Sequence, residues 1–391
     1  MGDVFCTGQD NFLMRIDKGT GSCYRFVTGN GDSLRPTFIT AKRSFSGNFM
    51  SKNGRITIKE IAQQAGVSKQ TVSRVLNNRP DVSSKTRKRI QTIIERSSYQ
   101  PSKVARSLTR GRTNIIGVIT SDLRHVGPSH MLVGVDEQAY ASGYTISLGL
   151  IHDQDDDEAI DNILQGMVAE QVAGLLWTAV SKLDNYQEVI EKLINLPIPV
   201  VVGAELKPEK LSAVYTDSCI GAAHATQHLI DQGYQNIGII TGPLGEWSAR
   251  LRLTGWEETN PSPDSSLIYE GDWTAASGYK AFHQLLRQRP DMDAVFASND
   301  QMALGVLKAA YDSGLKVPHA LGVVGFDDIP EAMYFTPSLT TVRQNLLENG
   351  RLLVQKLDRQ IQAQSRDEPS EPQILQTPPE LVIRASSVRN D

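Results

Sequence analysis

The chain has 391 residues, 40% apolar and 21% charged, which is ordinary globular composition with length for two or three domains and a sizeable core. No apolar run nears the roughly 18 residues of a membrane span, and the N-terminus lacks the apolar stretch of a secretory signal. Three scattered cysteines, Cys6, Cys23 and Cys219, are too few for a disulfide framework or a metal site, so a cytoplasmic protein without metal, cofactor or membrane partner is expected.

The net charge of −4 conceals an asymmetry. Residues 52–112 hold 15 Lys/Arg against 3 Asp/Glu, a net of +12, whereas residues 113–391 hold 19 against 37, a net of −18. A compact basic block joined to an acidic body is the electrostatic footprint of a nucleic-acid-binding module attached to something else.

Residues 1–50 are rich in Gly, Ser and Thr and show no sustained apolar period, so loop or disorder is expected there. A small strand-rich appendage around "CYRFVTG" is the alternative. Met50 lies just ahead of the first well-patterned segment and is an expected true start, leaving 1–49 an extension.

Three short helices follow within residues 55–102. Thr57 and Glu60 in "TIKE" have the spacing of a capping box, and Ile58, Ile61, Ala62 and Ala65 share one face up to Gly66. Ser68 caps a second helix whose apolar positions are Val72, Val75 and Leu76, and "NNRPD" ends it. Ser83 or Ser84 opens a third, with Ile90, Ile93 and Ile94 inward. Two helices around a tight glycine turn, with a supporting third, form a helix-turn-helix pattern. "SKQTVSRVLN" then divides its labour: three apolar residues hold the helix, and Lys69, Gln70, Ser73, Arg74 and Asn77 remain for an outer face. Gln can bond an adenine edge bidentately, and Arg or Lys can read guanine. A merely solvated polar face is the bland alternative, and the surrounding charge of +12 argues against it.

From Asn114 onward apolar runs alternate with amphipathic helices. "IIGVIT", "YTISLGL", "GLLWTA", "IPVVVG", "AVYTD", "NIGIITG", "DAVFASND" and "GVVGFDD" predict about eight strands of doubly wound parallel sheets, divided between two similar α/β subdomains. "QSRDEPSEPQ" reads as a polar loop before a last strand, "ELVIRASS".

"TIKEIAQQAGVSKQTVSRVLN", "VSSKTRKRIQTIIERSSYQPSKVARSL", "GPLGEWSARLRLTGW", "EGDWTAASGY" and "SNDQMALG" together resemble the LacI/GalR family of sugar-responsive repressors, over Arg55 to about Val388. The resemblance implies that Thr57, Ser68, Thr71, Ser83 and Thr86 anchor the head on phosphates and that Lys69, Gln70 and Arg74 read bases. It further implies a hinge within residues 103–112, where Val104, Ala105 and Leu108 lie on a short helix and Leu108 is a minor-groove wedge. So short a segment is marginal as an isolated helix and is expected to order only on DNA.

For the body, residues 113–388, the resemblance implies a pair of lobes of periplasmic-binding-protein type with a small sugar effector between them. Arg252 offers a fork of donors, Asn299, Asp327 and Gln344 add polar groups, and Trp273 offers a ring face for stacking. Ordinary roles compete for each: core for Trp273, helix or turn capping for Asn299 and Asp327, surface helix for Arg252. The pattern departs from lactose-responsive members of the family at Ala204, where those have an acidic residue, and at Leu346 and Asn349. A galactoside is the expected effector class, and these departures leave another sugar or a purine-type corepressor as the alternative. An enzyme is disfavoured because the body has no P-loop, no G-x-S-x-G and no cysteine or histidine constellation, with His125, His224 and His228 expected at surface or core. An exported sugar carrier is disfavoured by the basic head. No leucine heptads follow the last strand, so the expected assembly is a homodimer on near-palindromic operator DNA.

Overall fold

A computed structural model describes the backbone of Phe5–Thr7, Phe12–Ile16 and Cys23–Val27, and residues 56–76, 79–97, 113–152, 157–179, 186–203, 205 and 209–389. The chain divides into two units, Met1–Pro101 and Ser102–Asp391.

Where loop is expected in residues 1–50, the first unit instead has a three-stranded antiparallel sheet of β1 (Phe5–Thr7), β2 (Phe12–Ile16) and β3 (Cys23–Val27). The reason is local. "FLMRI" and "CYRFV" are short strand formers separated by the turn-forming run "DKGTGS", too brief to register as a sustained period.

The helical part of this unit comprises α1 (Ile58–Ala65), α2 (Lys69–Leu76) and α3 (Ser84–Ser97). Thr57 caps α1 in the expected reciprocal box: its hydroxyl accepts the Glu60 N–H, and the Glu60 carboxylate accepts the Thr57 N–H at 2.6 Å. Gly66 ends the helix with φ 61°, a left-handed conformation that costs glycine least. Ile61, Ala62, Ala65, Val72, Val75 and Ile90 form the buried core, with Leu76, Ile93 and Ile94 packed against it.

The second unit begins with β4 (Ile115–Ser121), α4 (Val126–Ala141), β5 (Thr145–Ile151), α5 (Asp157–Ala169), β6 (Leu175–Trp177), α6 (Tyr186–Ile194), β7 (Val200–Val202) and β8 (Ser212–Thr216). The chain then leaves this lobe and builds α7 (Ser218–Asp231), β9 (Ile237–Thr241), α8 (Trp247–Thr259), β10 (Ile268–Glu270), α9 (Ala275–Gln288), β11 (Ala294–Ala297), α10 (Asp300–Asp312), β12 (Gly322–Asp327) and β13 (Thr340–Arg343). It returns through α11 (Leu346–Ser365) and β14 (Ile374–Thr377), and crosses once more to β15 (Glu380–Val382). Two six-stranded sheets result: β14-β8-β7-β6-β4-β5, wholly parallel, and β10-β9-β11-β12-β13-β15, parallel except for the antiparallel edge strand β15.

Burial on both faces explains the near-continuous apolar strands. In the first lobe Leu175, Trp177, Val200 and Val202 face α5 and α6, while the alternate Leu176 and Val201 face Leu353, Val354 and Leu357 of α11. Each such side chain contributes about 1.5–3 kcal/mol when fully buried. The second lobe centres on Trp256, Phe282, Phe296 and Phe326. The strands absent from the sequence reading are β10, β13 and β14, which lack apolar runs. β13 buries Thr340 and Thr341, and their hydroxyls are satisfied by the Arg384 carbonyl and the Asp300 carboxylate.

Each lobe is also closed by a glycine-to-backbone helix contact. A Cβ on Gly278 of α9 would lie 2.2 Å from the Met302 carbonyl oxygen of α10, and one on Gly305 of α10 would lie 2.0 Å from the Ala275 oxygen. Gly134 of α4 and Gly350 of α11 face each other's helices in the same manner in the first lobe. Backbone cannot yield as a side chain can, so Gly305→Ala is expected to cost at least about 1–3 kcal/mol through overpacking. Urea unfolding of the variant measures this, and an unchanged midpoint would show that α9 and α10 can separate freely.

Candidate functional site

On the helical head, the residues expected at phosphates all sit at helix starts. Ser68 and Thr71 hydroxyls lie 2.9 Å apart before and within α2, and the Thr71 N–H donates to Ser68 Oγ at 3.1 Å. Ser83 and Thr86 repeat the arrangement at α3, as Thr57 and Glu60 do at α1. Helix N-termini with exposed N–H groups and hydroxyls are suited to phosphate oxygens. Lys69, Gln70 and Arg74 are exposed on α2, Ser73 is half-buried, and Val72 and Val75 turn inward. Arg74 pairs with Asp81 at 3.3 Å, and with both side chains about half exposed such a pair holds it only weakly. Asn77, Val104, Ala105 and Leu108 lie outside the described residues.

In the second unit all five expected effector residues, Arg252, Trp273, Asn299, Asp327 and Gln344, line one cleft of about 210 Å³ between the lobes. They come from α8, the loop after β10, the start of α10, the end of β12 and the segment after β13. This is the crevice at the carboxyl ends of parallel strands, where open α/β sheets present their loops.

Arg252 organises the second-lobe wall. It is 6% exposed, donates to the Ser298 carbonyl, lies 3.9 Å from Asp327 Oδ1 and stacks 3.9 Å from the Phe326 ring centroid and 5.4 Å from that of Trp273. Burial lowers its pKa from the usual guanidinium value, opposed by Asp327, Glu205 and Glu246. Burial likewise raises Asp327, opposed by Arg252 and by the 2.7 Å hydrogen bond from Gln344. A guanidinium stays protonated regardless.

Trp273 is half-buried, with backbone φ 67°, and its Nε1–H donates to Glu246 at 3.0 Å. Asp327 and Asp328 also have positive φ, 115° and 55°. Such conformations cost of order 1–3 kcal/mol each and concentrate at functional sites. Asn299 does cap a helix: its Oδ1 accepts the Met302 N–H at 2.9 Å, and its Nδ2 donates to the Trp273 carbonyl at 2.9 Å. It therefore braces the tryptophan loop while facing the cleft.

Several cleft residues escaped the sequence reading. Asp122 follows β4, and His125 beside it lines the cleft rather than lying at surface or core. His228 is buried and hydrogen-bonded to Ser387 at 2.7 Å, as a core histidine. Glu205 lies one residue beyond Ala204, which is outside the described residues. It lines the cleft. The available signal was position, since a carboxylate just after a parallel strand points into the crevice. Leu346 and Asn349 line the cleft as well. The buried Asn349 donates to Thr216 and accepts from Thr377, both at 2.9 Å, so it ties together two segments that cross between the lobes.

Comparison with known proteins supplies the family. Residues 57–102 match "Bacterial regulatory proteins, lacI family", and residues 226–387 match a periplasmic binding protein-like domain. The transcriptional repressor PurR of Haemophilus influenzae (strain PittEE) is 34% identical over 342 residues, covering 84% of this chain and 98% of that protein. The chain belongs to the LacI family. Its fold is similar to the Lac repressor dimer bound to operator and the anti-inducer ONPF, with a TM-score of 0.78 at 30% identity over 86% of this chain and 100% of that one. It is also similar to the transcriptional regulator CelR in complex with cellobiose, with a TM-score of 0.63 at 28% identity over 85% of this chain and 100% of that one. As a LacI-family member the protein is a DNA-binding transcriptional regulator.

Gly242 tests the cleft geometry. A Cβ there would lie 2.0 Å from Trp273 Cζ2, so the indole keeps its place only above a glycine. Gly242→Ala is expected to displace the ring, shift the tryptophan emission and weaken effector binding, with operator binding unaltered. Unchanged emission together with unchanged effector affinity would show that the ring is not held there.

Proposed function

We propose that this regulator represses transcription from operator DNA and is released when a neutral sugar occupies the cleft, with a galactoside the leading class. The observation that carries the reading is the cleft's charge and shape. Glu205, Glu246 and Asp327 surround the Arg252 guanidinium beside the ring of Trp273, while Asp122 on the opposite wall is paired with Arg124. An acceptor-rich wall suits a ligand made of hydroxyl donors, disfavours an anionic one, and the indole suits the apolar face of a sugar ring. The cellobiose complex of CelR, on the same fold, supports the class. PurR, 34% identical against 28% for CelR, favours a second reading in which a purine acts as corepressor.

In this reading Arg252, Trp273, Asn299, Asp327 and Gln344 contact the effector. Lys69, Gln70, Ser73, Arg74 and Asn77 face base edges, and Thr57, Ser68, Thr71, Ser83 and Thr86 hold phosphates. Val104, Ala105 and Leu108 form the hinge. We further propose a homodimer on a two-fold operator. Support comes from exposed apolar side chains on α4 and β5 (Val133, Tyr140, Leu148) and on α10 (Leu304, Tyr311).

Fluorescence-anisotropy titration of labelled operator separates the two effectors. Neutral hexoses or hexose disaccharides should weaken operator binding, while hypoxanthine and guanine leave it unchanged. Tightening by a purine with no response to any sugar would transfer the protein to the second reading. On the same operator, Gln70→Ala or Arg74→Ala is expected to cost about 1–3 kcal/mol and relax base discrimination. Wild-type discrimination at fixed salt would remove these residues from the base-reading set.

A further inference from the structure

Trp247 belongs to one lobe by its helix and to the other by its packing. It is the first residue of α8, a second-lobe helix, yet its side chain packs against the first-lobe core that contains Trp177, Val189, Leu193 and Tyr215. Its indole stacks on the ring of Tyr186, the first residue of α6, with centroids 5.8 Å apart and planes inclined by 18°. Its Nε1–H donates to the Glu205 carbonyl, also in the first lobe, at 3.2 Å. A stacked pair with a directed N–H survives only while the two lobes keep one relative position.

The same stretch of chain carries part of the effector wall. Glu246, immediately before Trp247, accepts the Trp273 indole N–H at 3.0 Å, and Arg252 lies further along α8. An anchor on Trp247 therefore sets where these second-lobe residues stand against Asp122 and Glu205 of the first lobe. Trp247 itself lines the cleft, whereas Tyr186 is not among the described residues that do. The two rings thus separate contact with a ligand from support of the wall.

We propose that Tyr186 is a positioning residue for effector binding, its stack on Trp247 latching the lobes in the arrangement that a bridging sugar requires. This inference rests on the reading in which sugar and operator favour different lobe arrangements, and it names a contact that sets the balance between them. Effector affinity is reduced by the fraction of protein outside the competent arrangement, and operator affinity by the complementary fraction. The ratio of operator affinity to sugar affinity therefore follows the lobe equilibrium alone, whichever arrangement the free protein favours. An aromatic pair of this kind shifts such an equilibrium by about 2- to 12-fold.

Two titrations of the full-length protein test the latch. Calorimetry measures affinity for the tightest binder in a panel of neutral hexoses and hexose disaccharides, and fluorescence anisotropy measures affinity for labelled operator without sugar. Tyr186→Leu keeps apolar bulk beneath the indole and removes the aromatic face, and Tyr186→Met does the same with a more adaptable side chain. Both are expected to raise the operator-to-sugar affinity ratio by about 2- to 12-fold, with sugar binding weaker, operator binding tighter, or both. Tyr186→Phe keeps the ring and should restore the wild-type ratio. A purely structural role would lower both affinities together and leave the ratio where it was. An unchanged or lowered ratio in the Leu and Met variants, with sugar still bound, would overturn the latch and leave the sugar reading standing. Binding of purine bases but of no sugar would overturn that reading, and the latch's assigned role along with it.

Discussion

A guanidinium that is almost completely buried must be compensated where it stands, and in this protein that requirement shapes the effector cleft. Removing the partner of a buried charge costs about 3–5 kcal/mol, so Arg252 depends on Asp327, on the Ser298 carbonyl and on the faces of Phe326 and Trp273. Each of those partners makes its own demand. Trp273 needs the strained φ of its loop, the bare backbone of Gly242 beneath its ring, and the braces from Asn299 and Glu246. Asp327 needs its left-handed backbone and the amide of Gln344. The five residues expected to meet the effector are one mutually supporting cluster rather than five independent contacts. Such clusters are non-additive, and truncating Arg252 is a stability change as well as a binding change.

Legibility in the sequence followed the physics of each element. The helical head was readable because a 3.6-residue apolar period, a capping box and a left-handed glycine all mark the same boundaries, from Thr57 to Gly66. Strands with continuous apolar runs, such as β4 and β12, were readable because both faces are buried. β13 was not, because its buried residues are threonines satisfied by distant partners, Asp300 and Arg384, that no local pattern reveals. The cleft was half readable. Its second-lobe residues carry recognisable motifs, whereas Glu205 and Asp122 follow strands as ordinary loop carboxylates and gain meaning only from the fold. Asn299 shows that a capping role and a cleft position are compatible, since one amide serves both.

Three short segments cross between the lobes, after Thr216, after Arg343 and after Thr377, and Asn349 with Thr216 and Thr377 forms a buried hydrogen-bonded cluster at two of them. A ligand that touches carboxylates of both lobes changes the relative energy of open and closed arrangements by its differential contacts alone. In the proposed function, operator DNA favours one arrangement and the sugar another, and nothing beyond that difference is required for release. The basic head and acidic body then have separate tasks. One collects phosphate contacts whose strength depends on salt, and the other houses a charge cluster shielded from it.

The central claim is thermodynamic coupling between cleft and head, and linkage makes it measurable in both directions. The most direct test measures operator affinity with and without saturating sugar, and sugar affinity with and without saturating operator, in one buffer at one salt concentration. The account predicts that each ligand weakens the other by the same factor, between about 5-fold and 150-fold. A sugar that binds free and operator-bound protein with equal affinity would contradict it, because a ligand without preference between the two states cannot drive release.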